Sequence, residues 1–428
     1  MLTFDEHKEY WLTIEPYVYL CVKGDDLLLY NSASGELRWW SDTHNLAKRA
    51  TVLSTGNHFP ITRMSGKELA EDAELREFVA TVQRGFSGEL LDVDLSDGEP
   101  LQIMPSTRTP RPQNADLDRC VRAATIYLNA DCTQGCSYCA RAHLQVPCCG
   151  KFEGVSDQLP LIIAKELLGY LADRSIPITL VGGNIFDYPF LVQLFDQLAQ
   201  RPSSARVALR THLLNVPTDQ EALGQIAQHD MSLRIAVPWD FHREDLTMAV
   251  GALRKANVTH TFAFLVCTDQ DVARAGDAAD CCGTASVRLT PFFDGGNQPF
   301  FQERVFLKYD RLAERPPSLA NIRRNAVVNR VSFGTFVIRC NGDICASVHT
   351  SPLGNIRDCT LAEAAALELQ RRSVWLRTRG SVAPCNECVF ENLCPPLSRY
   401  EHAMKRNDLC RIWDGDKRET VSRSGTPD

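Results

Sequence analysis

The chain has 428 residues, of which 44% are hydrophobic and 23% charged. This ordinary globular composition excludes a disordered chain, a collagen-like fibre and a coiled coil, and leaves room for two to four domains. The formal net charge of -7 is uneven: Met1 to Arg119 holds 20 Asp+Glu against 12 Lys+Arg, a net of -8, which leaves +1 for the remainder. That balance argues against nucleic acid or an anionic membrane as partner, since both favour a basic face. No run of about 18 apolar residues offers a membrane span. The count that stands out is 17 cysteines. The start, MLTFDEHKEYW, has no apolar export signal, so a reducing cytoplasm is expected, with free thiols and several of them on metal.

In chain order, TIEPYVYLCV and LLLYNSASGELRWW read as strands about a Gly-Asp-Asp turn. A helix is predicted from Ser65 to Phe86, capped by Ser65, with Leu69, Leu75, Phe78, Val79 and Val82 at helical spacing. Pro100, Pro105, Pro110 and Pro112 mark a linker. From about Val121 strands and helices alternate: RAATIYLNA, PITLVGG, ARVALRTHL, MSLRIAVPWD, THTFAFLVC and SVRLTPFF as strands, with helical segments between most of them. Alternation of this kind predicts an α/β fold with a parallel sheet, here a partial (β/α)6 TIM-like barrel with chemistry at the strand C-terminal ends. Three domains follow: 1–112, a small α+β unit; 113–320, the barrel; and 321–428, a cysteine-rich unit opening with the hairpin FGTFVIRCNGDIC and the helix TLAEAAALELQRRSVWLRT.

Directly after the first of these strands stands Cys132-Thr-Gln-Gly-Cys136-Ser-Tyr138-Cys139. Three thiolates on one loop can hold three irons of a cubane cluster and leave the fourth iron open. They make a poor closed zinc site, which takes four ligands. The plain alternatives are a chance cluster of buried thiols or a zinc loop. A second set, Cys385-Asn-Glu-Cys388, Cys394 and Cys410, supplies four thiolates; its spacing suits either zinc or an iron–sulfur cluster.

The Cys-x3-Cys-x2-Cys trio with an aromatic before its last cysteine, placed after a barrel strand, resembles the radical S-adenosylmethionine (SAM) enzymes. The resemblance implies a 4Fe–4S cluster on Cys132, Cys136 and Cys139 that chelates SAM and cleaves it by one electron to methionine and a 5′-deoxyadenosyl radical. It also implies cofactor contacts from Tyr138, from Gly182-Gly183-Asn184, where the family usually has Gly-Gly-Glu, and from Thr211. Arg210, His212, Trp239 and Asp240 follow later strands, and for each the ordinary reading is packing or surface.

Asn341-Gly342-Asp343-Ile344-Cys345, then Pro352-Leu353-Gly354-Asn355-Ile356, a helix and the C-terminal cysteines, resemble the SPASM extension of peptide-modifying radical SAM enzymes. The resemblance implies at least one auxiliary 4Fe–4S cluster, on Cys385, Cys388, Cys394 and Cys410. The family's next position carries Ser398 here, so a second cluster, which Cys340, Cys345 and Cys359 would have to serve, looks eroded. The activity implied is modification of a ribosomally made precursor peptide (a crosslink, thioether or epimerisation), with a flavodoxin or ferredoxin as reductant and the N-terminal unit as a leader-binding module or a cap. Cys267, Cys281 and Cys282 are candidate hydrogen donors, against the plain reading of small buried hydrophobes. Rival readings are an anaerobic sulfatase-type maturase, a non-catalytic peptide-binding partner with a structural cluster, and a zinc protein.

Overall fold

The N-terminal region forms β1 (Glu9–Ile14), β2 (Val18–Lys23), β3 (Asp26–Asn31), β4 (Leu37–Trp40), α1 (His44–Thr55), β5 (Ile61–Ser65), α2 (Gly66–Glu71), α3 (Ala73–Arg84) and β6 (Gly88–Asp92). Its strands make two antiparallel sheets, ordered β5-β1-β6 and β2-β3-β4. The run Leu27-Leu28-Leu29-Tyr30 in β3 lacks polar alternation because both faces are covered. Leu27 and Leu29 join the core of β1 and α1–α3, whereas Leu28 and Tyr30 face the segment around Cys388 to Cys394. The predicted helix from Ser65 is in fact two helices. Asp72 ends α2 in an extended conformation and accepts from Leu75 N (2.9 Å) to start α3; a short acid in mid-helix can cap, so it divides the element. The structure, a computed structural model, describes residues 4–41, 43–55, 61–95, 100, 116–130, 132, 134, 136, 158–200, 206–283, 285–306, 312, 317–404, 406–407 and 410.

The second region begins with α4 (Leu117–Cys120) and continues as β7 (Ala123–Tyr127), α5 (Leu161–Asp173), β8 (Ile178–Val181), α6 (Leu191–Ala199), β9 (Val207–His212), α7 (Gln220–Gln228), β10 (Ser232–Val237), α8 (Arg243–Lys255), β11 (His260–Val266), α9 (Asp269–Cys282) and β12 (Ser286–Pro291). The six strands pair in parallel, each beside its neighbour in sequence. Helix α9 escaped the sequence reading because its face is alanine and cysteine; a capping box of Thr268 and Asp271 starts it.

After α10 (Gln298–Arg304) and α11 (Leu319–Val327) come β13 (Thr335–Ile338), β14 (Asp343–Cys345), β15 (Gly354–Asn355), α12 (Leu361–Arg371) and α13 (Arg399–Met404). Strand β13 pairs in parallel with β7, and β14 and β15 follow antiparallel, giving one nine-stranded sheet, β12-β11-β10-β9-β8-β7-β13-β14-β15. The sheet therefore continues past residue 320. Among the described residues β12 and β15 are its free edges, so the fold is an open mixed α/β sheet rather than a closed barrel. The predicted Asn-Gly turn is the β13–β14 hairpin; Gly342 takes φ 93°, which a side chain would strain.

One face of the sheet carries the main core. Ile126, Leu180, Leu209, Ile235, Phe264 and Ile338 meet the apolar stripes of α5–α9 and α12 there. Strand alternation sends the intervening residues to the other face, where two smaller clusters form: Tyr127, Ala130, Val181 and Cys340, and Ala236, Leu265, Cys267 and Phe292. No helix among the described residues is long and apolar enough to cross a membrane.

Candidate active site and four-cysteine centre

The loop after β7 starts from Asn129, which is fully buried. Its Nδ2 donates to Asn184 O (2.8 Å), and its Oδ1 accepts from Gly183 N (3.0 Å). A Cβ at Gly182 would stand 2.0 Å from that oxygen. Glycine at 182 is thus required by the close approach of two strand ends. A Gly182→Ala protein should displace Asn129 and lose both bonds, at about 2 kcal/mol or more, read as a lower urea midpoint.

Asn184 is committed locally. Its Oδ1 accepts from Phe186 N (3.2 Å) and its Nδ2 donates to Asp187 Oδ1 (2.9 Å). Asn184 therefore holds an exposed carboxylate, Asp187, three positions on.

Of the cysteine trio, Cys132 and Cys136 lie within the described residues, while Cys139 and Tyr138 lie outside them. Cys136, like Trp239, packs against the cluster of Ala236, Leu265, Cys267 and Phe292. It therefore sits over the C-terminal ends of β10 and β11, on the face away from the helices. Beside it is a cavity of about 270 Å³ lined by Gln134, His212, Asp240, His242 and Asp245 among others. His212 is buried, and its Nδ1 accepts from Leu214 N (3.1 Å), which leaves the ring proton on Nε2 in the neutral form.

Other predicted residues separate by face. Cys267 joins Cys136, as the reading of it as a residue at the strand mouth requires. Cys282 and Cys281 pack into the helix-side core instead, and burial pushes the Cys282 thiol up to about 11. Thr211 shares the strand parity of Val207 and Leu209, which are helix-side, whereas His212 turns to the open face.

The four C-terminal cysteines come together. Cys385, Cys388, Cys394 and Cys410 line one cavity of about 580 Å³, with Phe306, Arg379, Tyr400 and Glu401. Local turns place them: Cys388 N donates to Cys385 O (3.1 Å), and Cys394 N donates to Phe390 O (2.9 Å). Among the described residues no three His, Cys, Asp or Glu side chains are placed to share a single metal ion. Burial drives the Cys394 thiol well up; Arg379 opposes this, and the neighbouring Cys388, Cys410 and Cys385 add to it.

Arg379 and Glu401 form the buried charge pair of this wall. Nη1 reaches Oε1 at 2.8 Å, with side chains 11% and 4% exposed. Arg379 also donates to Cys385 Sγ (3.5 Å) and Pro395 O (2.5 Å). Burial works against its charge, but Glu401 and the thiols hold its pKa above the ordinary value. Ser398 caps α13: its N donates to Glu401 Oε2 (2.7 Å) and its Oγ accepts from Glu401 N (3.3 Å). The Ser-x-x-Glu spacing was a legible signal of that cap; the Arg379 partner was not legible.

Cys340 is fully buried beside Tyr127, Ala130 and Val181, and Cys345 stands opposite Val337, which packs against that same cluster. Cys359 is on the helix side. The structure thus does not gather Cys340, Cys345 and Cys359 on one face.

Aromatic rings link the two cysteine regions. Trp239 and Phe292, which touch the Cys136 and Cys267 cluster, have centroids 5.3 Å apart. The next residue, Phe293, meets Phe301 at 5.8 Å, and Phe301 meets Tyr400 at 5.0 Å and Phe306 at 6.2 Å. Tyr400 and Phe306 line the four-cysteine cavity.

No family model matches the chain, and no curated protein matches it. Solved structures similar to it are those of SuiB from Streptococcus suis. One has a TM-score of 0.43 and 12% identity, over 94% of this chain and 100% of that chain. SuiB bound to precursor peptide SuiA gives 0.40 and 13%, and SuiB bound to S-adenosylmethionine gives 0.39 and 13%, each over 94% of this chain and all of the other. A 3-hexulose-6-phosphate synthase gives 0.28 and 12% over 59% of this chain and 99% of that chain. TM-scores and identities at this level carry no function, which must be read from the residues.

Proposed function

We propose that the chain is a radical SAM enzyme with one auxiliary iron–sulfur cluster, acting on a ribosomally made peptide in a reducing compartment. The observation that carries the reading is the Cys132, Cys136, Cys139 spacing on the loop after the first parallel strand, with Cys136 over the strand C-terminal ends beside a polar cavity. When bound, a 4Fe–4S cluster on these thiolates supplies the electron that cleaves SAM to methionine and a 5′-deoxyadenosyl radical able to take hydrogen from the peptide.

The chain's own residues then have separate tasks. The Gly182–Gly183 backbone, pinned by Asn129, offers close approach to the amino acid end of SAM. Asp187, held by Asn184, restores the negative charge that Asn184 lacks and pairs the ammonium. Trp239, Phe292 and Leu265 keep water from the reacting carbon, and Cys267 is the thiol placed to return a hydrogen atom. The six parallel strands form the partial barrel around this mouth, and the sheet edges that are free among the described residues of the N-terminal region offer a peptide a strand to pair with. The ring of Cys385, Cys388, Cys394 and Cys410 holds the auxiliary cluster.

The test is anaerobic reconstitution with iron and sulfide, then reduction in the presence of SAM. Formation of 5′-deoxyadenosine, and a mass change in a precursor peptide encoded beside the gene, are expected. Asp187→Asn should raise the KM for SAM by about tenfold with little change in cluster content. Abundant zinc without iron would end the reading.

A further inference from the structure

Glu391 lines the four-cysteine cavity and also a second pocket, of about 420 Å³, where β2 meets the C-terminal region. The charged groups of this second pocket are Lys23, Arg372, Arg377 and Glu391, three cations against one carboxylate. Lys23 Nζ is used within the protein, at 3.0 Å from Asn386 O and 3.0 Å from Glu391 Oε1. Among the described residues neither Arg372 nor Arg377 meets an acidic partner.

Two further features point to a ligand. Glu391 is 9% exposed, and its Oε2 is buried and meets no protein donor among the described residues. A buried carboxylate oxygen without a donor is costly, so this one is poised for an incoming N–H. Gly380 leaves the space open: a Cβ there would stand 2.9 Å from Oε2. Arg372 also sits in left-handed backbone, φ 56°, at the C-cap of α12. Glycine is the easy residue at such a cap. A non-glycine residue there costs about 1 kcal/mol of strain.

The pocket therefore asks for an anion and, within a few bonds, an N–H donor. We propose that it binds a carboxylate-bearing amino-acid unit, with the carboxylate on Arg372 and Arg377 and an amide or ammonium N–H on Glu391 Oε2. Planar guanidinium groups match a carboxylate in charge and shape, and clustered arginines are a recurrent means of reading acidic peptide motifs. An Asp or Glu residue within a peptide supplies both groups, and so does a free acidic amino acid. The site goes beyond the proposed function, since no step at either cysteine centre is needed for it.

Calorimetric titration of the anaerobically reconstituted full chain tests this, with three probes: acetyl-Ala-Glu-Ala-amide, acetyl-Ala-Gln-Ala-amide and free L-glutamate. Saturable binding of the Glu peptide is expected, with the Gln peptide weaker by about tenfold or more. Arg377→Gln and Arg372→Gln should each weaken the Glu peptide by about tenfold, and Arg377→Lys by less. Gly380→Ala, which keeps every charge, should also weaken it by closing the space beside Oε2. Tighter binding of free glutamate than of the peptide would assign the site to a free amino acid. Equal binding of the Glu and Gln peptides, no effect of Arg377→Gln in protein with unchanged iron content and Tm, or no saturable binding of any probe would each overturn the proposal. Iron content is read in the same samples, so absence of clusters is seen separately from absence of binding.

Discussion

The Cys136→Ala protein, reconstituted without oxygen, is expected to form no 5′-deoxyadenosine while keeping the iron of its C-terminal site. A cubane held by three cysteines loses its anchorage when one is removed. Cys136 packs against the cluster that holds Cys267 and Phe292, so its loss also loosens the loop over β10 and β11. Iron should fall by about four atoms per chain, from about eight, because the other ring of thiols is formed by a different part of the chain. Cys394→Ala should do the reverse, removing about four irons while leaving the trio's cluster visible by EPR. Complete loss of iron in both proteins would mean a single site, and retention of 5′-deoxyadenosine formation by Cys136→Ala would remove the trio from the chemistry.

Glu401→Gln is expected to be the most destabilising single exchange of a charged residue. Arg379 and Glu401 are almost fully buried and meet at 2.8 Å, so neutralising one leaves the other charged and out of water, at a cost of about 3–5 kcal/mol. Glu401 also accepts from Ser398 N at the start of α13, and the amide replaces that strong acceptor with a weaker one. Urea unfolding should show the loss, and Arg379→Met together with Glu401→Gln should cost less than the sum of the singles, since the pair is removed together. The damage should reach the N-terminal region, because Cys21, Leu28, Tyr30 and Trp39 share a core with Val389, Phe390, Leu393 and Cys394. Trp39 and Phe390 are in edge contact at 5.4 Å, so tryptophan fluorescence reports on this junction. A midpoint equal to wild type would show the pair to be solvated in solution.

Much of the scaffold was legible because its signals are local. The strands of the second region announce themselves by apolar runs of the right length between helical patterns, and the Asn-Gly hairpin by its turn residues. The trio's spacing was legible for the same reason, since three cysteines within eight residues need no tertiary knowledge to be grouped. Where local signals were weak the reading failed: α9 has few large apolar residues, and the helix from Ser65 was divided by Asp72, whose capping role depends on the backbone around it.

The sequence by itself determined the alternation that makes a parallel sheet and the spacing of the two cysteine sets. Only the tertiary structure decided which side chains share a space. It put Cys267 with Cys136 and sent Cys281 and Cys282 to the helix side. It joined β13 to β7, paired Arg379 with Glu401, and set Lys23 beside Glu391 from residues 368 positions apart in the chain. The physical reason is that hydrophobic periodicity reports which face of an element is buried and not what covers it. The covering partner is chosen by packing and charge compensation between distant segments, and those exist only once the chain has folded.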